Sequence, residues 1–163
     1  TFNSYWDDDN DLNVDFTEGI FVGYRHYDKS AVKARYPFGF GLSYSTFEMK
    51  NAKVSASQIK SGQGVEVLVD VTNTGNYDGA EVVQVYVADK QSSLPRPIKE
   101  LKGFEKVFLK KGETKTVKLE LKADDFSFYD PAKHDWIIEP GEFEILIGNS
   151  SVNIEQQVLL EIK

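Results

Sequence analysis

Val65-Glu66-Val67-Leu68-Val69-Asp70-Val71-Thr72, closed by Asn73-Thr74-Gly75-Asn76, is the stretch that decides the fold. Valine occupies every second position. In an extended chain successive side chains point to opposite faces, so one row of valines is buried while Glu66, Asp70 and Thr72 face outward. Valine's branched Cβ also suits a pleated, half-buried surface. The Asn-Thr-Gly-Asn run that follows supplies the residue types that turn a chain back on itself.

The same period of two returns at Val83, Val85 and Val87, at Val117, Leu119 and Leu121, at Phe143, Ile145 and Ile147, and at Val152, Ile154, Val158, Leu160 and Ile162. Weaker runs at Glu48–Ala56 and Leu101–Leu109 bring the expected strands to about seven, with turns at Ser61-Gly62, Asn76, Lys111-Gly112 and Pro140-Gly141. That count and spacing predict an all-β fold, an immunoglobulin-like sandwich of about seven antiparallel strands. No stretch predicts a long helix.

Residues 1–45 break the pattern. They are rich in Asp, Asn, Gly, Phe and Tyr and hold a single strand-like run, Ile20 to Tyr24, too little to close a core. Gly39 and Gly41 punctuate aromatic neighbours, and Pro37 biases Tyr36 toward an extended conformation. Such a segment is expected to be an irregular connector pressed against a neighbour.

At 163 residues and 40% hydrophobic content the chain has material for one good core. A net charge of −7, with no basic stripe interleaved with aromatics, repels a phosphate backbone, so nucleic acid is not an expected partner. No run approaches the roughly eighteen apolar residues of a membrane span, and no membrane partner is expected. Thr1-Phe2-Asn3-Ser4 does not read as a signal sequence, and secretion and a cytoplasmic location are both compatible with the sequence. Zero cysteines exclude disulfides and thiolate metal sites. Asn149-Ser150-Ser151 fits the glycosylation pattern and reads equally as a polar turn.

Charge is uneven: residues 1–30 hold seven acids against Arg25 and Lys29, whereas residues 99–122 hold eight lysines against four glutamates. Both are read as solvated faces. Asp7, Asp9, Asp11, Asn13, Asp15 and Glu18 stand at the ligand positions of a calcium loop, but Leu12 occupies the position of the obligatory glycine. A solvated acidic loop is therefore expected, with no metal and no cofactor. His26 and His134 are the only histidines, and neither belongs to a recognisable nucleophile motif. Arg25 is expected to pair with Asp28 or to stack on a ring. The interval between Leu121 and Phe143 carries Phe126, Phe128, Tyr129 and Trp136, a long aromatic excursion. Its rings are expected mainly to plug one end of the sandwich; Tyr129 and Trp136 are the candidate substrate-contacting rings.

Several blocks stand in a telling order: Glu18-Gly19-Ile20-Phe21-Val22-Gly23-Tyr24-Arg25, Pro37-Phe38-Gly39-Phe40-Gly41-Leu42-Ser43-Tyr44, Val71-Thr72-Asn73-Thr74-Gly75, Gly79-Ala80-Glu81-Val82-Val83-Gln84-Val85-Tyr86-Val87, Lys99-Glu100-Leu101-Lys102-Gly103-Phe104, Asp125-Phe126-Ser127-Phe128-Tyr129-Asp130 and Trp136. In these blocks the chain resembles the C-terminal end of a glycoside hydrolase family 3 enzyme of the β-glucosidase type. The resemblance implies that residues 46–163 are a fibronectin type III-like β-sandwich domain and that residues 1–45 are the end of a preceding α/β sandwich domain plus a connector. It also implies a retaining exo-glycosidase, whose nucleophile and acid/base flank the scissile bond roughly 5 Å apart. Neither family motif is present, so the catalytic pair is expected outside this chain. His134-Asp135-Trp136 imitates the nucleophile's Asp-Trp pair, but it lies within the accessory-domain block, and Asp135 is not expected to be catalytic. The resemblance thus implies a supporting domain whose partners are the catalytic domains of the same enzyme and, through them, a β-glucoside. The alternative is a polysaccharide- or surface-binding module presenting Phe126, Tyr129 or Trp136.

Overall fold

The computed structural model describes residues 17–163. In order, its elements are α1 (Tyr24–Lys29), β1 (Phe47–Val54), β2 (Gln58–Ile59), β3 (Val65–Asn73), β4 (Gly79–Asp89), β5 (Glu100–Leu109), β6 (Thr114–Leu121), a 3₁₀ turn (Ala123–Phe126), β7 (Phe128–Asp130), β8 (Asp135–Ile137), β9 (Gly141–Gly148) and β10 (Ile154–Ile162). Strands β1-β3-β6 form one sheet, β2-β10-β9-β4-β5 a second, and β7-β8 a separate two-stranded hairpin.

The alternating valines do what their period requires. Val65, Val67, Val69 and Val71 are buried along β3 and face Leu121, Leu119, Val117 and Lys115 across the β3–β6 register. Opposite them, Val83, Val85 and Val87 of β4 join Phe143, Ile145 and Ile147 of β9 and Leu160 and Ile162 of β10 in one core. Each fully buried aliphatic side chain contributes roughly 1.5–3 kcal/mol, which is why the period of two fixes the fold.

Three expectations are corrected. Ile20–Tyr24 is not a strand: Phe21 N–H donates to the Glu18 carbonyl at 3.1 Å in a tight turn, and Tyr24 begins α1. The run has no ladder partner; only its last residue, Tyr24, enters the helix, held by the docking contacts described below. The sandwich is not wholly antiparallel, because β2 pairs parallel with β10 through Glu161↔Gln58 and Ile162↔Ile59. The last strand starts at Ile154, leaving Val152 exposed outside it.

The turn after β3 is secured from inside. Asn73 is fully buried; its amide group donates to the carbonyls of Tyr77 (2.7 Å) and Leu109 (3.1 Å), while its oxygen accepts from Ser45 Oγ (2.6 Å) and Gly75 N–H (3.0 Å). An amide side chain with every bond made is well tolerated in a core. Gly75 must lack a side chain, since a Cβ would stand 2.1 Å from Ser45 Oγ.

Candidate functional site

Strand β4 is buried on both faces from Val83 to Ala88. Val83, Val85 and Val87 look into the core, so Gln84, Tyr86 and Ala88 lie on the outer face of the five-stranded sheet, where solvent would be expected. Residues 24–39 cover Gln84 and Tyr86. Tyr24 of α1 sets its ring edge-on to Tyr86 (centroids 5.8 Å) and tilted against Phe38 (5.4 Å). Its hydroxyl accepts the Leu101 amide at 2.8 Å, and the Ser151 amide donates to the Phe38 carbonyl at 2.8 Å. Gln84 is the keystone: its amide donates to the Asn149 carbonyl at 3.0 Å, and its oxygen accepts from Tyr86 Oη at 2.5 Å. Gly39 crosses directly above with φ +85°, and a Cβ there would fall 2.2 Å from Gln84 Nε2.

A charged chain ties α1 to the edge of the sheet. Arg25 pairs with Glu100 Oε1 at 3.0 Å, and Glu100 Oε2 meets Arg96 at 2.9 Å; Arg96 also holds Asp89 at 3.0 Å. Asp28 takes Lys99 at 2.6 Å. Arg25 therefore does not pair with Asp28, as the sequence reading allowed, because Glu100 at the start of β5 comes within its reach and Lys99 claims Asp28. Burial pushes the Tyr86 hydroxyl well above its ordinary value, reinforced by Tyr24 and Asp28 nearby. Burial likewise lowers Lys102, which Glu100 opposes and Arg96 reinforces. Arg96 was not singled out in the sequence, and Lys99 and Glu100, quoted in the resemblance block and counted in a solvated face, instead form part-buried ion pairs; the Arg96-to-Glu100 spacing just before a strand is indistinguishable in sequence from a solvated charge cluster.

The aromatic excursion divides. Phe126 is fully buried, edge-on to Phe143 at 5.5 Å, and Phe128 is buried beneath the Arg96 guanidinium at 5.1 Å. These two plug the sandwich end. Tyr129 and Trp136, paired across β7–β8, are 46% and 65% exposed, with centroids 5.9 Å apart and planes inclined at 67°. Asp135 is exposed, and its Oδ1 accepts its neighbour Trp136 N–H at 2.8 Å. Asp130, its partner across the hairpin, is held below the usual carboxylate range first by the Ala132 amide and then by Lys133. Both carboxylates thus bond within their own hairpin.

Of the calcium-loop positions, Asp7, Asp9, Asp11, Asn13 and Asp15 lie outside the described residues, and Glu18 sits in the turn before α1. Among the described residues no group of three or more His, Asp or Glu side chains is placed to hold a metal. His26 lies on α1 edge-on to Tyr27 at 5.5 Å, and His134 occupies a left-handed position (φ 53°) between β7 and β8. The two sit on separate elements and share no site.

The strand order, the two-sheet core and the Greek-key-like return of β9 and β10 define a fibronectin type III-like β-sandwich. Residues 81–151 match the family described as "Fibronectin type III-like domain". The chain is 48% identical over 144 residues to thermostable beta-glucosidase B of Acetivibrio thermocellus, covering 88% of this chain and 19% of that protein. It is 44% identical over 152 residues to an exo-alpha-(1->6)-L-arabinopyranosidase of Bifidobacterium breve, covering 93% and 20%. The solved GH3 beta-glucosidase of Bifidobacterium adolescentis superposes with a TM-score of 0.86 at 42% identity, over 91% of this chain and 22% of that one. The chain corresponds to the part of glycoside hydrolase family 3 enzymes of the β-glucosidase type that carries their fibronectin type III-like accessory domain, and it spans about a fifth of the length of these relatives. In those larger enzymes the domain is part of one chain with the rest.

Proposed function

We propose that the chain supports a retaining β-glucosidase-like enzyme that removes terminal β-D-glucosyl residues, with the nucleophile and acid/base carried by catalytic domains outside these residues. In this reading residues 1–45 end the preceding α/β sandwich domain and form the connector, while residues 46–163 are the buttress. The sugar is read elsewhere, which is consistent with relatives of similar identity bearing β-glucosidase and arabinopyranosidase names.

One observation carries the reading. The connector seals one face onto the sheet and leaves the other apolar and open: Val22, Val32, Tyr36, Phe38, Phe40, Leu42 and Tyr44 are all exposed, Leu42 at 91% and Tyr44 at 95%. A groove of about 850 Å³ runs beside it, walled by α1, residues 30–38 and Val152. Contiguous apolar surface of this kind marks an interface. The occupant that fits is the remaining four-fifths of the enzyme.

Mixing the chain with the Acetivibrio thermocellus relative trimmed of its homologous fifth tests this. Native mass spectrometry is expected to show a one-to-one particle, lost when Leu42 and Tyr44 become serine and kept with Leu159→Ser. The chain alone is expected to leave an aryl β-glucoside intact. Failure to associate, or turnover by the chain alone that Asp135→Asn abolishes, would overturn the reading.

A further inference from the structure

We propose that the β7–β8 hairpin is a binding corner for one pyranose unit of a soluble oligosaccharide, with Trp136 as the stacking face and Tyr129 as its buttress. This rests on the reading of the chain as part of a glycosidase, and it adds a sugar contact on the accessory domain itself.

The two rings lie outside the core. Along the excursion Phe126 and Phe128 turn inward and complete the core, whereas Tyr129 takes the outward position next to Phe128 and stands opposite Trp136. Two large rings remain in water on a strand pair only three residues long on each side. Single exposed apolar residues are commonplace, but a paired, preformed aromatic corner is a recognition feature.

Geometry selects the ligand. A flat polymer surface can lie on two rings at once only when they are coplanar; at 67° one ring must tilt away. That disfavours a crystalline polysaccharide face, the form of surface binding the sequence suggested. A single pyranose has a face of axial C–H groups and a rim of equatorial hydroxyls. The C–H face can lie on the more exposed indole while the inclined phenol closes one side. The rim then meets the Tyr129 hydroxyl, which shares that face of the hairpin, while Asp130 and Asp135, paired one step further along the ladder, lie on the other face.

The corner is also preorganised. Asp130 Oδ1 accepts the Ala132 amide at 2.9 Å, the Lys133 amide donates to the Asp130 carbonyl at 3.2 Å, and His134 takes the left-handed conformation that closes the turn. From below, Arg96 lies over Phe128 and Phe126 is locked against Phe143. The backbone that carries the two rings is thus set before binding, which lowers the ordering cost of a small aromatic contact.

The test is an amide-detected NMR titration of the chain with cellotetraose, with Trp6→Phe as background so that one indole N–H reports. Saturable shifts are expected at the Trp136 indole and at hairpin amides 129–137, with Kd on the order of 1 mM. Trp136→Ala is expected to weaken binding about tenfold or more, and Tyr129→Ala several-fold, with Leu159→Ser unchanged. If Trp136→Ala collapses the spectrum, Trp136→Phe, which keeps a ring, is expected to bind a few-fold more weakly with the fold intact. No shift up to about 20 mM, shifts outside the hairpin, retention by insoluble cellulose alone, or equal affinity in the ring variants would each overturn the proposal. A chain that docks on the trimmed relative yet binds no oligosaccharide refutes the corner and leaves the supporting role standing. Oligosaccharide binding without docking refutes the role and leaves the corner.

Discussion

Replacing Gly39 by alanine puts the connector's attachment under direct strain. The residue sits at φ +85°, where an L side chain costs about 1–2 kcal/mol, and the new Cβ would fall 2.2 Å from Gln84 Nε2 and 3.0 Å from the Asn149 carbonyl. A free glutamine could swing aside. Gln84 cannot do so at no cost, because its amide bonds Asn149 and its oxygen bonds the buried Tyr86 hydroxyl, each contact contributing about 1 kcal/mol. Together these come to about 2–4 kcal/mol, or roughly 30-fold to several hundred-fold in the population of a detached connector. The core itself is untouched, so the connector is expected to open locally while the sandwich stays folded. Two amides report on the junction: Leu101 N–H, bonded to Tyr24, and Ser151 N–H, bonded to Phe38. Residue-resolved hydrogen exchange should show both accelerated by those factors in Gly39→Ala, with the amide of Val67 unchanged. Gly41→Ala is the control, since nothing lies within 4 Å of its Cβ and its φ is ordinary. Unchanged protection at Leu101 and Ser151 would refute the account of how the connector is held.

Other substitutions probe the core and one seam. Val67→Asp buries an unpaired carboxylate at a position with no exposure and is expected to cost at least about 4 kcal/mol in chemical denaturation, against at most about 0.5 kcal/mol for Glu66→Asp at the exposed Lys118 pair. Glu155 bridges the two sheets by accepting the Met49 amide at 2.8 Å, and burial raises its carboxyl above 4.5, with Glu81 and Glu48 adding to the rise. A folded-state value above the unfolded one means that stability falls as pH climbs from about 4.5 through the raised value. Glu155→Gln removes that loss. It should therefore be more stable than the parent at pH 7 by at most about 1 kcal/mol, the group being only half-buried, and equal to it below pH 4.5, as thermal melts at the two pH values would check.

The strands were legible wherever one face is core and the other is water. Val65 to Val71, Val117 to Leu121 and Phe143 to Ile147 announce themselves because their burial alternates as their sequence does. Strand β4 showed only half of itself: Gln84 reads as a solvent-facing residue, and its burial depends on Gly39 and Phe38, more than forty residues earlier. Helix α1 was hidden for a similar reason. Six residues with no helical hydrophobic period adopt a short helix because Tyr24, Arg25 and Asp28 find Leu101, Glu100 and Lys99, partners that no local pattern encodes. In the excursion the aromatic content was plain, but which rings point inward is set by the register of a three-residue strand.

The double-sided burial of β4 means that the unit that folds is larger than the unit that can be drawn from strand connectivity. Cutting the chain where β1 begins would keep every ladder bond of the sandwich yet strip the lid from Gln84 and Tyr86, leaving a wetted stripe beside the exposed Phe104 and Phe108 of the neighbouring edge strand. Boundaries for producing, grafting or swapping this piece between enzymes belong upstream of Gly23, even though the described residues before β1 add no strand.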